Sequence, residues 1–209
     1  MNILVVGCSW SAGIDAQPYN WVEHLSKVYT NHNWYNFSIT ANSVEHQILT
    51  YNQALEQFDI DYTIFQITNP ARLTLYSCEF DLKEHVKQKN NYFYIKKPYG
   101  KIYTITSASL HVFEGEIYKK GVEFFRDYVE MPDKKIEAVK ELEPNLIFSH
   151  SYPYRDIVSI KEILGKESFS KYCIDDGFHF SRQGAIHTAK VIEEMIKKDL
   201  TTLDKESII

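Results

Sequence analysis

Two short segments near opposite ends of the chain carry residues able to act as a nucleophile and a base. Ser9 follows the apolar run 3–6 and Gly7, so a buried strand that turns at glycine would present the serine hydroxyl at the carboxyl edge of a sheet. Near the other end, Asp176 stands three residues before His179. This pair would supply a general base and the carboxylate that orients it. In this order along the chain, the residues predict a serine hydrolase.

Two intermediate segments resemble further parts of the same site. Residues 35–43 follow a short predicted strand, and residues 63–70 form and end another. Together with the segments around Ser9 and His179, and in this order, they resemble the four sequence blocks of the SGNH (GDSL-type) hydrolase family. The tail of the last block, 179–184, also resembles the family pattern, which places a glycine after the catalytic histidine.

The resemblance implies a role for one or two residues in each block. Ser9 would be the nucleophile, and Asp176 and His179 would complete a catalytic triad. Three donors would bind the oxyanion: the backbone amides of Ser9 and Ala41 and the side-chain amide of Asn69. No cofactor and no metal is expected, because the resemblance implies none and no residue spacing suggests a metal site.

The chain departs from the family pattern at three block positions. Cys8 stands where the family usually has Asp, Ala41 where it usually has Gly, and Pro70 where Asp commonly follows the Asn. That first Asp is not the triad acid, and alanine retains the backbone amide that the oxyanion needs. Pro70 leaves Asn69 in place and favours an extended backbone there.

Several neighbouring residues are alternatives or additions to this set. Asp175 is an alternative to Asp176 as the triad acid, although the offset of three residues from His179 favours Asp176. His46 and His187 are expected at the surface rather than in the site. Trp10 is a candidate for substrate contact. Arg72 either binds an anionic group of the substrate or forms a structural salt bridge.

The alternation of strands and helices predicts an α/β fold. We expect a three-layer, doubly wound, mostly parallel sheet of the SGNH or flavodoxin type. The predicted strands are 2–6, 34–37, 62–67 and 145–149, and the predicted helices begin near residues 21, 44 and 184. Their order places Ser9, Ala41 and Asn69 in loops at the carboxyl ends of the strands, where ligands usually bind.

Residues 71–131 interrupt this alternation and are too long for a simple loop. They are expected to form an aromatic-rich hairpin and helix subdomain inserted into a single domain that spans 1–209. The hairpin is predicted from strands 92–96 and 101–105, and a helix from 121–130. Because the insertion follows Asn69, it would act as a lid or substrate platform; the alternative is that its aromatic side chains only pack it against the body.

Composition limits the remaining classes of function. The 209 residues suit one domain, and 44% hydrophobic and 24% charged residues are ordinary for a globular protein. A net charge of −5 without a basic stripe argues against nucleic acid. Three widely spaced cysteines suggest no disulfide framework. No signal peptide or membrane span is predicted, which favours a cytoplasmic protein, although a phage or virion component would share these features.

These observations leave three functional hypotheses. The first is hydrolysis of a small acyl ester, with carbohydrate O-acetyl groups as the substrate and a small molecule or glycan ester as the expected partner. The second is acyl transfer through the same acyl-enzyme. The third is a non-catalytic binding or structural module that keeps the fold, which the departures from the block pattern motivate. It would gain support if Ser9 and His179 lay beyond hydrogen-bonding reach of each other.

Overall fold

The structure is a computed structural model of the 209-residue chain. It describes residues 1–13, 20–40, 42–70, 72–75, 82–95, 103–105, 132–149, 154, 156–174 and 179–206. The strands are β1 (Asn2–Val6), β2 (Asn33–Asn36), β3 (Tyr62–Ile67), β4 (Leu73–Leu75), β5 (Val86–Lys89), β6 (Tyr92–Ile95), β7 (Tyr103–Ile105) and β8 (Leu146–Ser149). The helices are α1 (Ser9–Ala12), α2 (Trp21–Val28), α3 (Val44–Gln57), α4 (Pro132–Lys140), α5 (Ile160–Leu164), α6 (Lys166–Tyr172) and α7 (Arg182–Glu206).

Six of the strands form one sheet in the order β5-β6-β2-β1-β3-β8. Every neighbouring pair is parallel except β5 and β6. The central strand β1 is a continuous apolar run, as expected for a strand that is covered on both faces. Its neighbours β2 and β3 lie on opposite edges, so the chain reverses direction across the sheet at β1, in the doubly wound manner.

Two hydrophobic cores cover the two faces of this sheet. Because successive strand residues point to opposite faces, β1 contributes alternate side chains to each core. Helices α2, α5, α6 and α7 bury one core, which includes Ile3, Val5, Trp21, Leu25, Trp34, Ile64, Ile160, Phe169, Ala189 and Ile192. Helices α3 and α4 bury the other, which includes Leu4, Val6, Phe37, Val44, Tyr51, Phe65, Ile136 and Val139. The predicted three-layer, mostly parallel α/β architecture is confirmed.

The predicted pairing of 92–96 with 101–105 is wrong. Strand β6 pairs antiparallel with β5 and parallel with β2, so both of its edges are occupied. Strand β7 pairs instead with β4 in a separate two-stranded ribbon. The hairpin that does form joins β5 to β6, and its tight turn is Asn90-Asn91. Asn90 has φ of 56°, a left-handed conformation that asparagine tolerates better than most residues. The preceding strand β5 is a polar edge strand, which the sequence pattern does not reveal.

Part of the segment 71–131 therefore extends the main sheet rather than forming a separate subdomain. The predicted helix 121–130 lies outside the described residues, and the lid or platform role stays a prediction. Of the helices that the structure describes, none is long and apolar enough to cross a lipid bilayer.

Candidate active site

Ser9 is presented by a tight turn between β1 and α1. Cys8 has an extended backbone, and its carbonyl accepts hydrogen bonds from the amides of Ser11 (3.0 Å) and Ala12 (2.9 Å). Ser9 is therefore the first residue of α1, where the backbone amide has no acceptor within the helix. Its side chain lies at the carboxyl end of β1, and only 6% of the residue is exposed.

The side chain of Gln66 fills the space beneath this turn. Its Oε1 accepts hydrogen bonds from the Cys8 amide (3.2 Å) and from the Ser11 hydroxyl (2.8 Å). A Cβ atom at Gly7 would lie 2.7 Å from the same oxygen, so this position requires glycine because of close approach. The Ser11 hydroxyl also accepts a hydrogen bond from Trp21 Nε1 (2.9 Å). The turn that carries Ser9 is thus held from below by a fully buried polar network.

His179 lies on a loop whose two ends are joined by backbone hydrogen bonds. The Ile174 amide donates to the His179 carbonyl (2.8 Å), and the Ser181 amide donates to the Tyr172 carbonyl (2.9 Å). Ser181 also caps α7, because its hydroxyl accepts from the Gly184 amide (3.1 Å) and donates to the Tyr172 carbonyl (3.0 Å). The capped start of α7 therefore constrains the position of His179, which lies two residues before the cap Ser181.

The structure brings Ser9 and His179 together. Ser9 Oγ and His179 Nε2 lie 3.0 Å apart, a hydrogen-bonding distance between residues 170 positions apart in sequence. The ring of Trp10 stacks on the imidazole, with 5.9 Å between ring centroids. Trp10 also packs edge-on against Phe180 (4.6 Å) and stacks on Phe169 (5.8 Å). This half-buried tryptophan supports the imidazole from one side, in addition to being the predicted candidate for substrate contact.

Asn69 follows the end of β3 at the same edge of the sheet. The Arg72 amide donates to the Asn69 carbonyl (3.1 Å) and closes a four-residue turn that contains Pro70. The Arg72 guanidinium donates to Thr68 Oγ1 (3.1 Å). No salt bridge of Arg72 is present among the residues that the structure describes, so the structural alternative predicted for this residue is not seen there.

Three predicted site residues lie outside the described residues: Ala41, Asp175 and Asp176. The residue after Ala41 is nevertheless tied to both neighbouring loops. Asn42 Nδ2 donates to the Gly7 carbonyl (2.9 Å), and the Asn42 carbonyl accepts from Thr68 Oγ1 (3.4 Å). The loops that follow β1, β2 and β3 therefore meet at one place.

The two additional histidines differ from expectation. His46 was expected at the surface, but it is fully buried in the first turn of α3. Burial lowers the pKa of His46 to about 4, which keeps the imidazole neutral at ordinary pH. His187 is half-buried rather than solvated, and its ring stacks on Tyr172 at 4.6 Å. The sequence pattern did not indicate the burial of His46 or the contact of His187 with Tyr172, because both depend on which faces of the helices pack together.

Sequence reasoning also missed Gln66 and Asn42 as supports of the site. A signal for Gln66 exists: it is the one amide side chain in β3, a strand that is buried along its whole length. A buried polar group needs a hydrogen-bond partner, so an amide in such a strand indicates a polar contact at its end. No cluster of three or more His, Cys, Asp or Glu side chains suited to a metal ion occurs in the described part of the chain.

The fold and the site define a doubly wound α/β protein whose sheet edge carries a hydrogen-bonded serine–histidine pair. No protein-family model matches the sequence, and no curated protein is significantly similar to it. Solved structures do match. The psychrotrophic esterase EstA from Pseudoalteromonas sp. is 15% identical, and the match covers 96% of this chain and 98% of that chain with a TM-score of 0.50.

Two further structures are similar to a lower degree. A lipase/acylhydrolase from Enterococcus faecalis is 13% identical over 95% of this chain and 97% of that chain, with a TM-score of 0.48. TesA is 23% identical, but the match covers 33% of this chain and 41% of that chain, with a TM-score of 0.30. The match to EstA shows a common fold over nearly the whole of both chains. The chain therefore shares the fold of this esterase, and the predicted fold class is confirmed.

Proposed function

We propose that the protein is a serine esterase that hydrolyses small acyl esters. The observation that carries this proposal is the 3.0 Å distance between Ser9 Oγ and His179 Nε2. In an otherwise buried turn, a serine hydroxyl within hydrogen-bonding distance of an imidazole nitrogen can pass its proton to that nitrogen as it attacks a carbonyl carbon. A non-catalytic module with the same fold would not need this contact.

The proposed mechanism uses the residues in the roles that the sequence predicted. His179 takes the proton of Ser9 as the hydroxyl attacks, and later returns a proton to the leaving alcohol. Asp176 would hold the imidazole tautomer and stabilise the imidazolium. The backbone amides of Ser9 and Ala41 and the side chain of Asn69 would bind the oxyanion. Water then attacks the acyl-enzyme, and His179 acts again as the base.

The substrate class is part of the proposal as well. We propose that the natural substrates include O-acetyl groups of carbohydrates, a choice that rests on the range of the family that the sequence resembles. Trp10 stands beside both Ser9 and His179 and is a candidate to contact the substrate. Arg72 lies next to Asn69 without a carboxylate partner in the described part of the chain, and it is a candidate to bind an anionic group.

The proposal is tested by turnover of p-nitrophenyl acetate. We expect Ser9→Ala and His179→Ala each to lower kcat by about 10⁴-fold or more, because the nucleophile and its base act together and neither is effective without the other. The matched controls are Ser168→Ala, an exposed serine of α6, and His24→Ala in α2, which should retain wild-type turnover. Circular dichroism checks that every variant is folded.

Labelling by a fluorophosphonate is a second readout that does not depend on the acyl group. We expect one equivalent of label per chain, attached to Ser9 and lost in Ser9→Ala. Acetate release from an O-acetylated oligosaccharide tests the proposed substrate class, and an added sugar acceptor separates transfer from hydrolysis. A folded wild type that neither turns over esters nor takes the label would overturn the proposed function.

A further inference from the structure

Lys135 joins both ends of the long segment that separates β3 from α4. It lies in the first half of α4, immediately after that segment. Its ammonium donates to the carbonyl of Pro70 (3.0 Å) and to the carbonyl of Arg72 (3.4 Å), at the beginning of the same segment. It also forms an ion pair with Glu45 at 2.7 Å. The Lys135 side chain is only 10% exposed, whereas the Glu45 side chain is 36% exposed, so the ammonium is largely shielded from water but its carboxylate partner is not.

The two carbonyls belong to the turn that begins at Asn69. The Arg72 amide closes this turn on the Asn69 carbonyl, and Pro70 restricts the backbone of the residue before it to extended geometry. Lys135 ties this turn to helix α4, because its ammonium binds two carbonyls of the turn.

Glu45 extends this arrangement to a second loop of the site. It lies in the first turn of α3, and the loop before that helix contains Ala41 and Asn42. One ammonium group therefore connects the start of α3, the turn after β3 and helix α4. Hydrogen bonds from a charged donor are about twice as strong as neutral ones, so the bonds of the ammonium to the two carbonyls are the stronger part of this connection.

We propose that Lys135 is a positioning residue for the oxyanion donor Asn69. It holds the turn 69–72 so that the Asn69 amide points at the place where negative charge develops. This inference rests on the proposed function, in which Asn69 donates to the oxyanion. It assigns a role to a lysine that belongs to none of the four sequence blocks and that lies 65 residues from Pro70.

A double-mutant cycle tests the proposal, because it measures whether two residues act through one another. Four proteins are compared with p-nitrophenyl acetate: wild type, Lys135→Met, Asn69→Ala and the double variant. We expect Asn69→Ala to lower kcat by about 100-fold, the usual effect of removing one oxyanion donor. Lys135→Met should lower kcat by about tenfold with KM changed less than about twofold, because a misplaced donor chiefly affects the transition state.

The decisive comparison is the effect of Lys135→Met when Asn69 is already absent. We expect a further loss of less than about twofold, because the donor that Lys135 positions is no longer there. A loss of about tenfold in both backgrounds would overturn the inference, since Lys135 would then act independently of Asn69. No loss of kcat in Lys135→Met, with turnover otherwise normal, would overturn it as well.

Control variants separate positioning from general stability. Lys140→Met removes another lysine of α4, one that pairs with Glu137 and Asp156 at the surface, and it should leave kcat unchanged. Lys135→Arg keeps the charge and the donors and should recover most of the activity. If Lys135→Met does not fold, Glu45→Gln, which removes the negative charge beside the ammonium and leaves the lysine in place, enters the same cycle. We expect a smaller loss of kcat than for Lys135→Met, and again almost none when Asn69 is absent.

The rate of Ser9 labelling by a fluorophosphonate is measured on the same four proteins. Negative charge also develops on the phosphoryl oxygen during labelling, so the same non-additive pattern is expected. A wild type that is neither labelled nor active overturns the proposed function, and the inference with it. An active wild type in which the two effects are independent overturns the inference alone.

Discussion

At the level of single residues, Gln66 supports the turn that presents Ser9. Its Oε1 is the acceptor for the buried Cys8 amide, and a Cβ atom at Gly7 would meet both this oxygen (2.7 Å) and Ser11 Cβ (2.9 Å), so a larger residue there would displace the network. Leaving a buried backbone amide without an acceptor costs about 1–3 kcal/mol. The geometry of the nucleophile therefore depends on an amide side chain that takes no part in the chemistry itself.

Replacing Gln66 by methionine tests this dependence. Met has a similar length but no amide oxygen, so we expect Gln66→Met to lower the free energy of unfolding by about 1–3 kcal/mol. We also expect kcat for p-nitrophenyl acetate to fall about tenfold, because the turn that carries Ser9 loses its support. Gln88→Met, at an exposed position of the edge strand β5, is the matched control. Equal stability of the two variants in urea unfolding would contradict the structural account.

Among the elements, the start of α7 connects the stability of the chain with the position of His179. Ser181 caps this helix and also binds the Tyr172 carbonyl, and Gly184 packs so closely on that carbonyl that a Cβ atom at this position would clash with it. The loop before Ser181 carries His179. A change in the cap is therefore expected to move the imidazole relative to Ser9.

We expect Ser181→Ala to lower the free energy of unfolding by about 1 kcal/mol, the usual effect of losing an N-cap. It should also lower kcat severalfold, since the 3.0 Å contact between Ser9 and His179 depends on the loop. Asn20→Ala removes the cap of α2, where the Asn20 side chain accepts from the Glu23 amide at 2.7 Å. This control should lose similar stability while retaining more of its turnover. Thermal unfolding and steady-state kinetics on both variants provide the comparison.

The elements that the sequence predicted are those whose own residues determine their burial. Strand β1 is apolar from residue 3 to residue 6, and β3 is buried along its whole length. Helix α3 begins at a serine cap that the structure retains, with the His46 amide 3.4 Å from Ser43 Oγ. Helices α5 and α6 have five and seven residues and are separated by Gly165. They are too short to show a helical period, and the packing of Ile160 and Phe169 decides their place.

The residues of the site also divide into those that the sequence predicts and those that only the structure reveals. Ser9 and His179 were predictable because their order and spacing follow a known pattern, and the structure brings them together. Gln66 and Lys135 were not, because each acts on a segment that lies 58 or 65 residues away in the sequence. Their contacts exist only after the sheet has brought the loops of β1 and β3 to one edge. Sequence patterns contain the reacting groups, whereas the supports depend on the tertiary fold.

In the molecule as a whole, the two hydrophobic cores provide the stability, and buried polar groups concentrate at the carboxyl edge of the sheet. Asn42, His46, Gln47, Gln66 and Thr68 are all fully or almost fully buried there. The Gln47 side chain donates to the Gln66 carbonyl (2.7 Å) and accepts from the Thr68 amide (3.1 Å). Burying so many polar groups is unfavourable unless their hydrogen bonds form together. His46 is the titratable side chain among these five, so we expect acid to act on this edge through His46.

His46 gives this sensitivity a defined pH range. Burial lowers its pKa from 6.5 to about 4, so between these values the unfolded chain binds a proton that the folded chain does not. Stability is therefore fully present above about pH 6.5 and is lost as the pH falls toward 4, by about 2 kcal/mol between pH 7 and pH 5. We expect His46→Gln to remove this part of the pH dependence and His24→Gln, on α2, to retain it. Urea unfolding of the three proteins at pH 7 and pH 5 measures the difference. An identical loss of stability in wild type and His46→Gln would mean that His46 is not held neutral in the folded protein.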